Sequence, residues 1–337
     1  LRQCGLFDKN RPHYLFPQAA SQVSGWPDLL SGRNEERGKM AGKKVRKNTR
    51  SDKEAYIMIL PAYLIFTIFI LVPIGMVLFY SLTDFNMYQI PGFLGLKNYS
   101  KLFHDSEFLA SVGNTLLYTV VTLTIQLVLG LLLAVLLYRE SRAVPFFRTA
   151  LYMPNIMSMV CVSMVWLWLY NPNFGLLNSF LKLIGIPAQQ WLINPNQAML
   201  CIIIIGIWKN CGYSMVIFLG GLTGIPSPYM RQRSSMGQAF SISFSISRGR
   251  CCIPRPFFLL VTGIVNSFAV FEQVNIMTNG GPLNRTTTIV HQIYRRGFLE
   301  FKMGYASAMA VLLLVFSLIV TMMVFKFGNK GQDVDVS

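Results

Sequence analysis

The chain has 337 residues, of which 53% are hydrophobic and only 13% are charged, a composition typical of an integral membrane protein and not of a soluble one. Its formal net charge of +16 would favour a nucleic-acid partner in a soluble protein. Most of the excess charge, however, lies in the N-terminal tail and in one basic loop, so we expect no nucleic-acid partner.

The N-terminal tail, residues 1–54, is expected to be basic and cytoplasmic. Residues 1–39 mix Pro, Gly, Arg and aromatic residues without periodicity and contain no apolar core of a signal peptide. Met40 is followed by AGKKVRKNTRSDKEA and has the features of a natural start. We therefore expect the fold to begin near Met40 and residues 1–39 to be foreign to it; the alternative is a disordered extension with a role of its own.

Six apolar stretches follow, each about long enough to cross a bilayer as a helix. They cover roughly residues 55–83, 112–138, 149–170, 199–219, 257–277 and 303–325. Asn171-Pro172-Asn173 ends the third, because proline disfavours a helical conformation in the residue before it. The pattern predicts an all-α membrane protein with six transmembrane helices in one domain over residues 55–327, and a C-terminal tail over residues 328–337.

Six spans place both termini on one side of the membrane, and the distribution of basic residues indicates that this side is the cytoplasm. The basic tail shares that side with Arg139, Arg142, Arg148, Lys326 and Lys330. The opposite loops carry fewer basic residues, balanced by Asp and Glu. The last outer loop is the exception, with Arg285, Arg295, Arg296 and Lys302. The expected location is the plasma or inner membrane, with both termini cytoplasmic.

The loop between the fourth and fifth spans, residues 220–256, is rich in Ser and Arg and has no acidic residue. Such a polar segment cannot lie in hydrocarbon. Its edges read GLTGIP and PFFLLV, and the sequence beyond it contains NIMTNGGP and TTTIVHQIYRRGF. These stretches resemble the membrane subunits of binding-protein-dependent ABC importers, specifically the carbohydrate permeases of the maltose, multiple-sugar and glycerol-phosphate type. The resemblance covers about residues 55–325.

The resemblance implies the ABC importer permease fold, also called MetI-like, and a role as the transmembrane subunit that imports a sugar or related carbohydrate. It further implies a second permease subunit, two copies of an ATPase subunit and an extracytoplasmic sugar-binding protein. ATP and Mg²⁺ would bind the ATPase, and this chain would hold no cofactor. Closure of the ATPase dimer would move the docked loops and open the path outward, in alternating access.

In that family the central loop carries a motif of the form E-A-A-x-x-D-G-A, which forms the short helix that docks into a cleft of the ATPase. The resemblance therefore assigns docking to Gly224, Pro226, Arg231, Gln232, Arg233, Gly237 and Pro254. Only the glycine of the motif is kept, since residues 231–238 read RQRSSMGQ. Codons for Met230 to Arg233, read one nucleotide earlier, can give Glu-Ala-Ala, and those for Met236 to Gln238 can give Asp-Gly-Ala. We therefore expect two compensating frameshifts over about residues 229–255; the alternative is a diverged loop.

No sequence pattern supports catalysis by this chain. It has no G-x-x-x-x-G-K-[ST] phosphate loop, no G-x-S-x-G elbow and no H-E-x-x-H metal pair. Its three histidines are far apart in sequence, and its six cysteines show neither metal spacing nor a disulfide framework. We therefore expect a transport subunit that is not an enzyme and has no catalytic, cofactor-binding or metal-binding residue.

Polar residues inside apolar spans are costly and are therefore the candidates for a transport path. In the fifth span these are Asn266, Glu272, Gln273 and Asn275, and in the fourth they are Lys209 and Asn210. Asn266, Val270 and Gln273 fall on one helical face by their spacing, and amide and carboxylate groups beside aromatic residues suit a sugar. Lys209 is expected to snorkel or to pair with Glu272. The alternative is that these residues bind neighbouring helices.

Two other classes of protein remain as alternatives. A secondary transporter or channel would need no docking loop and would be favoured by an inverted internal repeat, which the sequence does not show. A membrane-anchored binding or scaffold protein fits poorly with six spans that contain polar residues. Co-purification of an ATPase subunit would separate the importer from both.

Overall fold

A computed structural model describes residues 49–138, 141–223 and 254–328. The chain divides into two units, Leu1–Phe69 and Ile70–Ser337. Helix α1 (Thr49–Phe66) belongs to the first unit, and the π-helical segment that follows it, Thr67–Leu71, includes the last residues of that unit and the first two of the second. The expected start at Met40, the docking-loop residues from Gly224 to Gly237 and all but the last two residues of the expected frameshift region lie outside the described residues.

The second unit is built from helices, and its described β structure is confined to an isolated bridge between Thr83 and Phe93. In chain order the helices are α2 (Val72–Ser81), α3 (Lys97–His104), α4 (Ser106–Leu136), α5 (Val144–Ile156), α6 (Met159–Leu169), α7 (Leu176–Leu183), α8 (Ala198–Thr223), α9 (Pro254–Phe268), α10 (Glu272–Met277), α11 (Ile289–Tyr294) and α12 (Met303–Gly328). A π-helical segment, Arg295–Leu299, lies between α11 and α12.

Four helical stretches of the described chain are long and apolar enough to cross a membrane. They are Tyr56–Ser81, Ser106–Leu136, Ala198–Leu222 and Met303–Lys326, and they confirm the first, second, fourth and sixth predicted spans. Outward-facing side chains on these helices are apolar, such as Leu132 (59% exposed) and Leu318 (53% exposed). Such extended apolar surface is expected where a protein contacts lipid and not water.

The third predicted span is a bent pair of helices and not one helix. Helices α5 and α6 meet at Met157 and Ser158 and are bent by 98°. Both joining residues have extended backbone, with ψ of 145° and 134°. Pro154 lies in the last turn of α5 and has no N–H to donate, so the bend forms where helical hydrogen bonding is already weakened. The prediction of one continuous helix over residues 149–170 is therefore wrong.

The fifth predicted span is also interrupted. Helix α9 ends at Phe268 and α10 begins at Glu272, with three residues of non-helical backbone between them. The carbonyl of Val270 in this break accepts a hydrogen bond from Thr288 Oγ1 at 2.9 Å. A buried backbone group freed by a break needs such a partner in a membrane. The prediction of one continuous helix over residues 257–277 is wrong.

Helices α4 and α8 approach each other closely because small residues lie between them. A Cβ atom added to Gly130 would lie 2.5 Å from Ser214 Cβ. One turn away, Gln126 Nε2 donates a buried hydrogen bond to Ser214 Oγ at 2.8 Å. Small residues and interhelical hydrogen bonds of this kind hold membrane helices together where the hydrophobic effect between helices is weak.

One end of the second unit carries an ion-pair network, which we call the charged end. Its members are Asp105, Glu107, Arg295, Arg296, Glu300 and Lys302. Arg296 is central, because its guanidinium donates to Glu107 Oε2 at 2.8 Å and to Glu300 Oε2 at 2.7 Å and lies 3.6 Å from Asp105 Oδ2. These ion pairs neutralise Arg295, Arg296 and Lys302, which are three of the four basic residues by which the last outer loop departs from the charge pattern.

Two carboxyl groups of the charged end, those of Asp105 and Glu300, are held in their ionised form. Burial raises the pKa of Asp105, but hydrogen bonds from Tyr305 and from two backbone N–H groups, together with Arg296, outweigh it, so the pKa is lowered. Burial likewise raises the pKa of Glu300, and hydrogen bonds from Lys302 and Arg296 lower it overall. Both of these carboxyl groups are thus ionised at neutral pH, and the network joins the start of α4 to the segment before α12.

Candidate functional site

A cavity of about 200 Å³ lies among α4, α6, α8, α9 and α10. Five of the six predicted path residues line it, namely Lys209, Asn210, Asn266, Glu272 and Gln273. The sixth, Asn275, lies farther along α10 and is not among the lining residues. Residues that are up to 64 positions apart in sequence, from Lys209 to Gln273, thus share one polar cavity.

The helix break between α9 and α10 determines how the fifth-span residues reach this cavity. Asn266 lies near the end of α9 and Gln273 in the first turn of α10. The spacing argument that placed them on one face needs an unbroken helix, so that argument is wrong. Both residues nevertheless line the cavity, and so do Ala269 and Val270 of the break itself.

Lys209 holds the bend between α5 and α6 instead of pairing with Glu272. Its Nζ donates hydrogen bonds to the carbonyl oxygens of Pro154 and Asn155, both at 3.1 Å, and to that of Met157. The last carbonyls of a helix have no partner within it and carry partial negative charge, so a cation is favoured there. Glu272 is near enough to interact electrostatically with Lys209, but the two form no ion pair among the described residues.

Two of the amide side chains in the cavity are also bound to neighbouring groups. Gln273 is 1% exposed, and its Nε2 donates to Tyr118 Oη at 2.8 Å. Asn210 Nδ2 donates to the carbonyl of Gly206 at 2.9 Å, and its Oδ1 accepts a long hydrogen bond from Asn155 Nδ2 at 3.4 Å. These contacts occupy part of the hydrogen-bonding capacity of Gln273 and Asn210, as expected if such residues bind neighbouring helices.

Asn266 and Glu272 differ from the other lining residues. Both side chains are exposed, and neither makes a hydrogen bond or ion pair within the described part of the chain. An amide offers two donors and an acceptor, and a carboxylate offers acceptors alone. These two residues therefore present the groups that a polar ligand in the cavity could use.

Sequence reasoning missed other polar residues of the cavity. They are Tyr118 and Gln126 on α4, Tyr213 on α8, and Thr262 and Ser267 on α9. Gln126 could have been found, since a buried amide inside the second span is as costly as those in the fifth. The hydroxyl residues carry no comparable signal, because Ser and Thr in membrane helices commonly bond their own backbone.

The NGGP and TTT stretches form one hydrogen-bonded loop that supports the break beside the cavity. Thr287 Oγ1 donates to the carbonyl of Gly280 at 2.9 Å, and Thr286 Oγ1 donates to that of Gly281 at 2.6 Å. Gly280 has a φ of +81°, and a Cβ there would lie 2.5 Å from Thr287 Oγ1, so only glycine fits. Because Thr288 also bonds Val270, this loop fixes the position of the break.

No metal centre is found among the described residues, where no group of three or more His, Cys, Asp or Glu side chains could hold an ion. Of the predicted docking-loop residues, Pro254 begins α9. The remainder, including Arg231, Gln232 and Arg233, lie outside the described ranges.

An all-helical chain with several apolar spans, two broken helices and a polar cavity where they meet has the architecture of a membrane transport protein. No protein-family model matches it. It is, however, 32% identical over 290 residues to the probable ABC transporter permease protein YurN of Bacillus subtilis, covering 82% of this chain and 97% of that one. It is also 31% identical over 277 residues to the sn-glycerol-3-phosphate transport system permease protein UgpA of Agrobacterium fabrum, covering 82% of this chain and 94% of UgpA.

The chain therefore belongs to the family of ABC transporter permease proteins, and it is a multi-pass membrane protein. The fold agrees with this assignment. The chain superimposes with a TM-score of 0.76 on a chain of a bacterial alginate ABC transporter solved with an alginate pentasaccharide-bound periplasmic protein, at 22% identity and covering 86% of this chain and 98% of that one. The predicted ABC importer permease fold is confirmed.

Proposed function

We propose that this chain is a transmembrane subunit of an ABC importer for a sugar or related carbohydrate, and that it works by ATP-driven alternating access. UgpA is named for transport of sn-glycerol-3-phosphate and the structural neighbour for transport of alginate, which supports a polyhydroxyl cargo. Within the chain, the observation that carries the proposal is the cavity into which Asn266 and Glu272 extend without a hydrogen-bond or ion-pair partner among the described residues. A secondary transporter or channel has no such support.

The proposed assembly contains three further components. A second permease subunit would complete the path, two ATPase subunits would bind ATP and Mg²⁺, and an extracytoplasmic binding protein would deliver the carbohydrate. The periplasmic protein bound to the alginate transporter supports the last of these. Both termini would lie in the cytoplasm, so that the loop of residues 220–256 faces the ATPase and the charged end faces the binding protein.

In this proposal the cavity binds the cargo through its hydroxyl groups. Glu272 would accept hydrogen bonds from sugar hydroxyls, and the Asn266 amide would both donate and accept. The breaks at residues 157–158 and 269–271 border the cavity, so movement of the segments beyond them would open it to one side at a time. The chain itself performs no chemical step.

Uptake by the assembled transporter tests the role of the cavity. We expect Glu272→Gln and Asn266→Ala to lower uptake or change its sugar preference while ATPase binding stays normal. Asn275→Ala is the matched control, because Asn275 lies on the same helix as Glu272 but outside the cavity. If both cavity variants transport as the unchanged protein does, Asn266 and Glu272 do not line the path.

The docking loop needs a separate test, because Arg231 stands where the resemblance places a glutamate. Reversing a charge at a contact costs several kcal/mol, about enough to remove a transient complex. Restoring the alternative reading frame over residues 229–255 should therefore recover co-purification of the ATPase and sugar-stimulated ATP hydrolysis. Equal association by the sequence as given would show that the loop has diverged and still docks. The uptake measurements described above should be made both with the loop sequence as given and with the loop in the restored reading frame.

A further inference from the structure

The positive and the negative charge in the cavity are not equally accessible to a ligand, and this difference affects which carbohydrate the proposed importer accepts. Lys209 and Glu272 are the only charged residues among the described residues that line it. The other polar lining groups are amides and hydroxyls. The selectivity of the cavity for charge therefore depends on how much of each charge a ligand can reach.

The positive charge is not available to a ligand. A lysine ammonium has three protons, and those of Lys209 are directed to the three carbonyl oxygens of Pro154, Asn155 and Met157. These oxygens end helix α5, whose dipole adds partial negative charge at the same place. An anionic ligand would have to break these hydrogen bonds and free three carbonyls in order to bind Lys209.

The negative charge, in contrast, is free. Glu272 lies at the first residue of α10, is exposed, and receives no hydrogen bond from any described side chain or backbone group. Apart from Lys209, the described groups that share the cavity with it are uncharged, such as Asn266, Ser267 and Thr262. A carboxylate in this state accepts hydroxyl or ammonium protons and repels other anions.

We propose that Glu272 acts as a charge filter, so that the cavity accepts carbohydrates without negative charge and rejects uronates and sugar phosphates. This proposal rests on the proposed function, since it concerns the cargo of the same cavity. An anion held about 6 Å from Glu272 at an effective dielectric constant of about 20 would be disfavoured by roughly 100-fold. Lys209 reduces this factor without reversing it, because its charge is opposed by the end of α5.

The reactivity of a cysteine in the cavity measures this charge without knowledge of the cargo. The six native cysteines are first replaced by alanine, and Asn266→Cys is introduced as the reporter. The full-length chain in membrane vesicles is then treated with a cationic trimethylammonium methanethiosulfonate or with an anionic sulfonate methanethiosulfonate. Each rate is divided by the rate for free cysteine, and the ratio of the two corrected rates reports the local potential. Thr262→Cys, which lines the same cavity, serves as a second reporter.

We expect the cationic reagent to react on the order of tenfold faster than the anionic one after correction, and Glu272→Gln to remove most of this preference. Asp84→Asn is the control, because Asp84 is an exposed carboxylate outside the cavity, and it should leave the ratio unchanged. A ratio near one, a ratio insensitive to Glu272→Gln, or a preference for the anionic reagent would overturn the proposal. Lack of reaction at both reporters would also overturn it, since the cavity must admit a cargo from water.

The labelling result is independent of coupling to an ATPase. If labelling shows the negative potential but the assembled complex imports no carbohydrate, the proposed function fails, while the negative potential that Glu272 gives to the cavity stands. If the complex imports carbohydrate but the ratio does not respond to Glu272, the charge filter fails and the function stands.

Discussion

Replacing Lys209 with Met tests whether this residue serves the cargo or the bend between α5 and α6. Methionine has a similar length and keeps the apolar stem, but it removes the ammonium group. The carbonyl oxygens of Pro154, Asn155 and Met157 then lose their common donor. Because these groups lie where Met157 and Ser158 leave the helix, we expect the bend to lose its fixed angle.

The expected loss of stability follows from these three hydrogen bonds. Side-chain hydrogen bonds between membrane helices contribute on average about 0.6 kcal/mol and at most about 1.7 kcal/mol each. Three of them therefore correspond to roughly 2–5 kcal/mol, and because Lys209 is partly exposed, water replaces some of the loss. We expect the free energy of unfolding to fall by about 2–3 kcal/mol, which lowers the midpoint of thermal unfolding by roughly 5 °C.

Thermal unfolding of the purified chain in detergent measures this effect, and limited proteolysis reports on the bend. Lys209→Met should lower the midpoint and increase cleavage near Met157. Lys209→Arg keeps the charge and several donors, so its midpoint should lie between the other two. Glu272→Gln should leave the midpoint unchanged, because Glu272 has no partner in the described structure. If Lys209→Met unfolds like the unchanged protein but abolishes uptake, Lys209 binds cargo and our reasoning about the bend is wrong.

Three further predictions concern the rest of the fold. Arg296→Gln should lower the free energy of unfolding, measured by chemical denaturation, by about 1–3 kcal/mol. Arg295→Gln should lower it by less than about 1 kcal/mol, because the ion pairs of Arg295 are longer and its side chain is more exposed. Equal losses in the two variants would contradict the central role of Arg296. The lowered pKa of Asp105 means that its contribution to stability is complete above the unfolded pKa of about 4 and is lost as the pH falls through the lower folded pKa. Unfolding midpoints should therefore drop as the pH falls below about 4, and by less in Asp105→Asn. Gly130→Ala should destabilise the chain by about 1–3 kcal/mol, because the new Cβ would lie 2.5 Å from a side chain of α8. Gly113→Ala on the same helix introduces a Cβ with nothing within 4 Å and should be neutral or stabilising. The reverse order of thermal unfolding midpoints would refute the close approach of α4 and α8.

The long spans could be predicted from hydropathy because one physical requirement dominates them. A helix in lipid satisfies its own backbone, so about twenty apolar residues are sufficient to specify it. Tyr56–Ser81, Ser106–Leu136, Ala198–Leu222 and Met303–Lys326 agree with the predicted ranges to within a few residues, apart from the earlier start of the second. The charged end explains that start, since Asp105 caps α4 by accepting the N–H of Glu107 at 2.9 Å.

The two breaks could not be predicted in the same way, because hydropathy does not register where backbone hydrogen bonds are exchanged for tertiary ones. Pro154 is a sequence signal for a break in the third span, but the signal is weak because proline is tolerated in many membrane helices. Residues 269–271 read Ala-Val-Phe and carry no local signal. That break depends on Thr288, which bonds the carbonyl of Val270 across 18 positions of sequence.

It was easier to predict which residues line the cavity than to predict what each of them does there. Polar residues in apolar spans avoid lipid by facing one another, because placing a polar group in lipid costs free energy. That cost alone was enough to select five residues that line the cavity: Lys209, Asn210, Asn266, Glu272 and Gln273. Their roles depend on which partners already occupy their hydrogen-bonding groups. Lys209 and Gln273 are occupied by the bend and by Tyr118, and this can be read only from the tertiary structure.

The errors in the predicted spans and the position of the cavity have a common physical origin. Non-helical backbone at membrane depth is stable only where protein groups or a water-accessible cavity can satisfy it. Both breaks border the cavity, since Met159 follows the first and Ala269 and Val270 belong to the second. The breaks leave carbonyl groups outside regular helical hydrogen bonding there, and polar side chains such as Lys209 and Thr288 bind them. A chain of six uninterrupted helices would therefore be easier to predict, but its polar residues would have neither the room nor the unpaired groups that the proposed carbohydrate path requires.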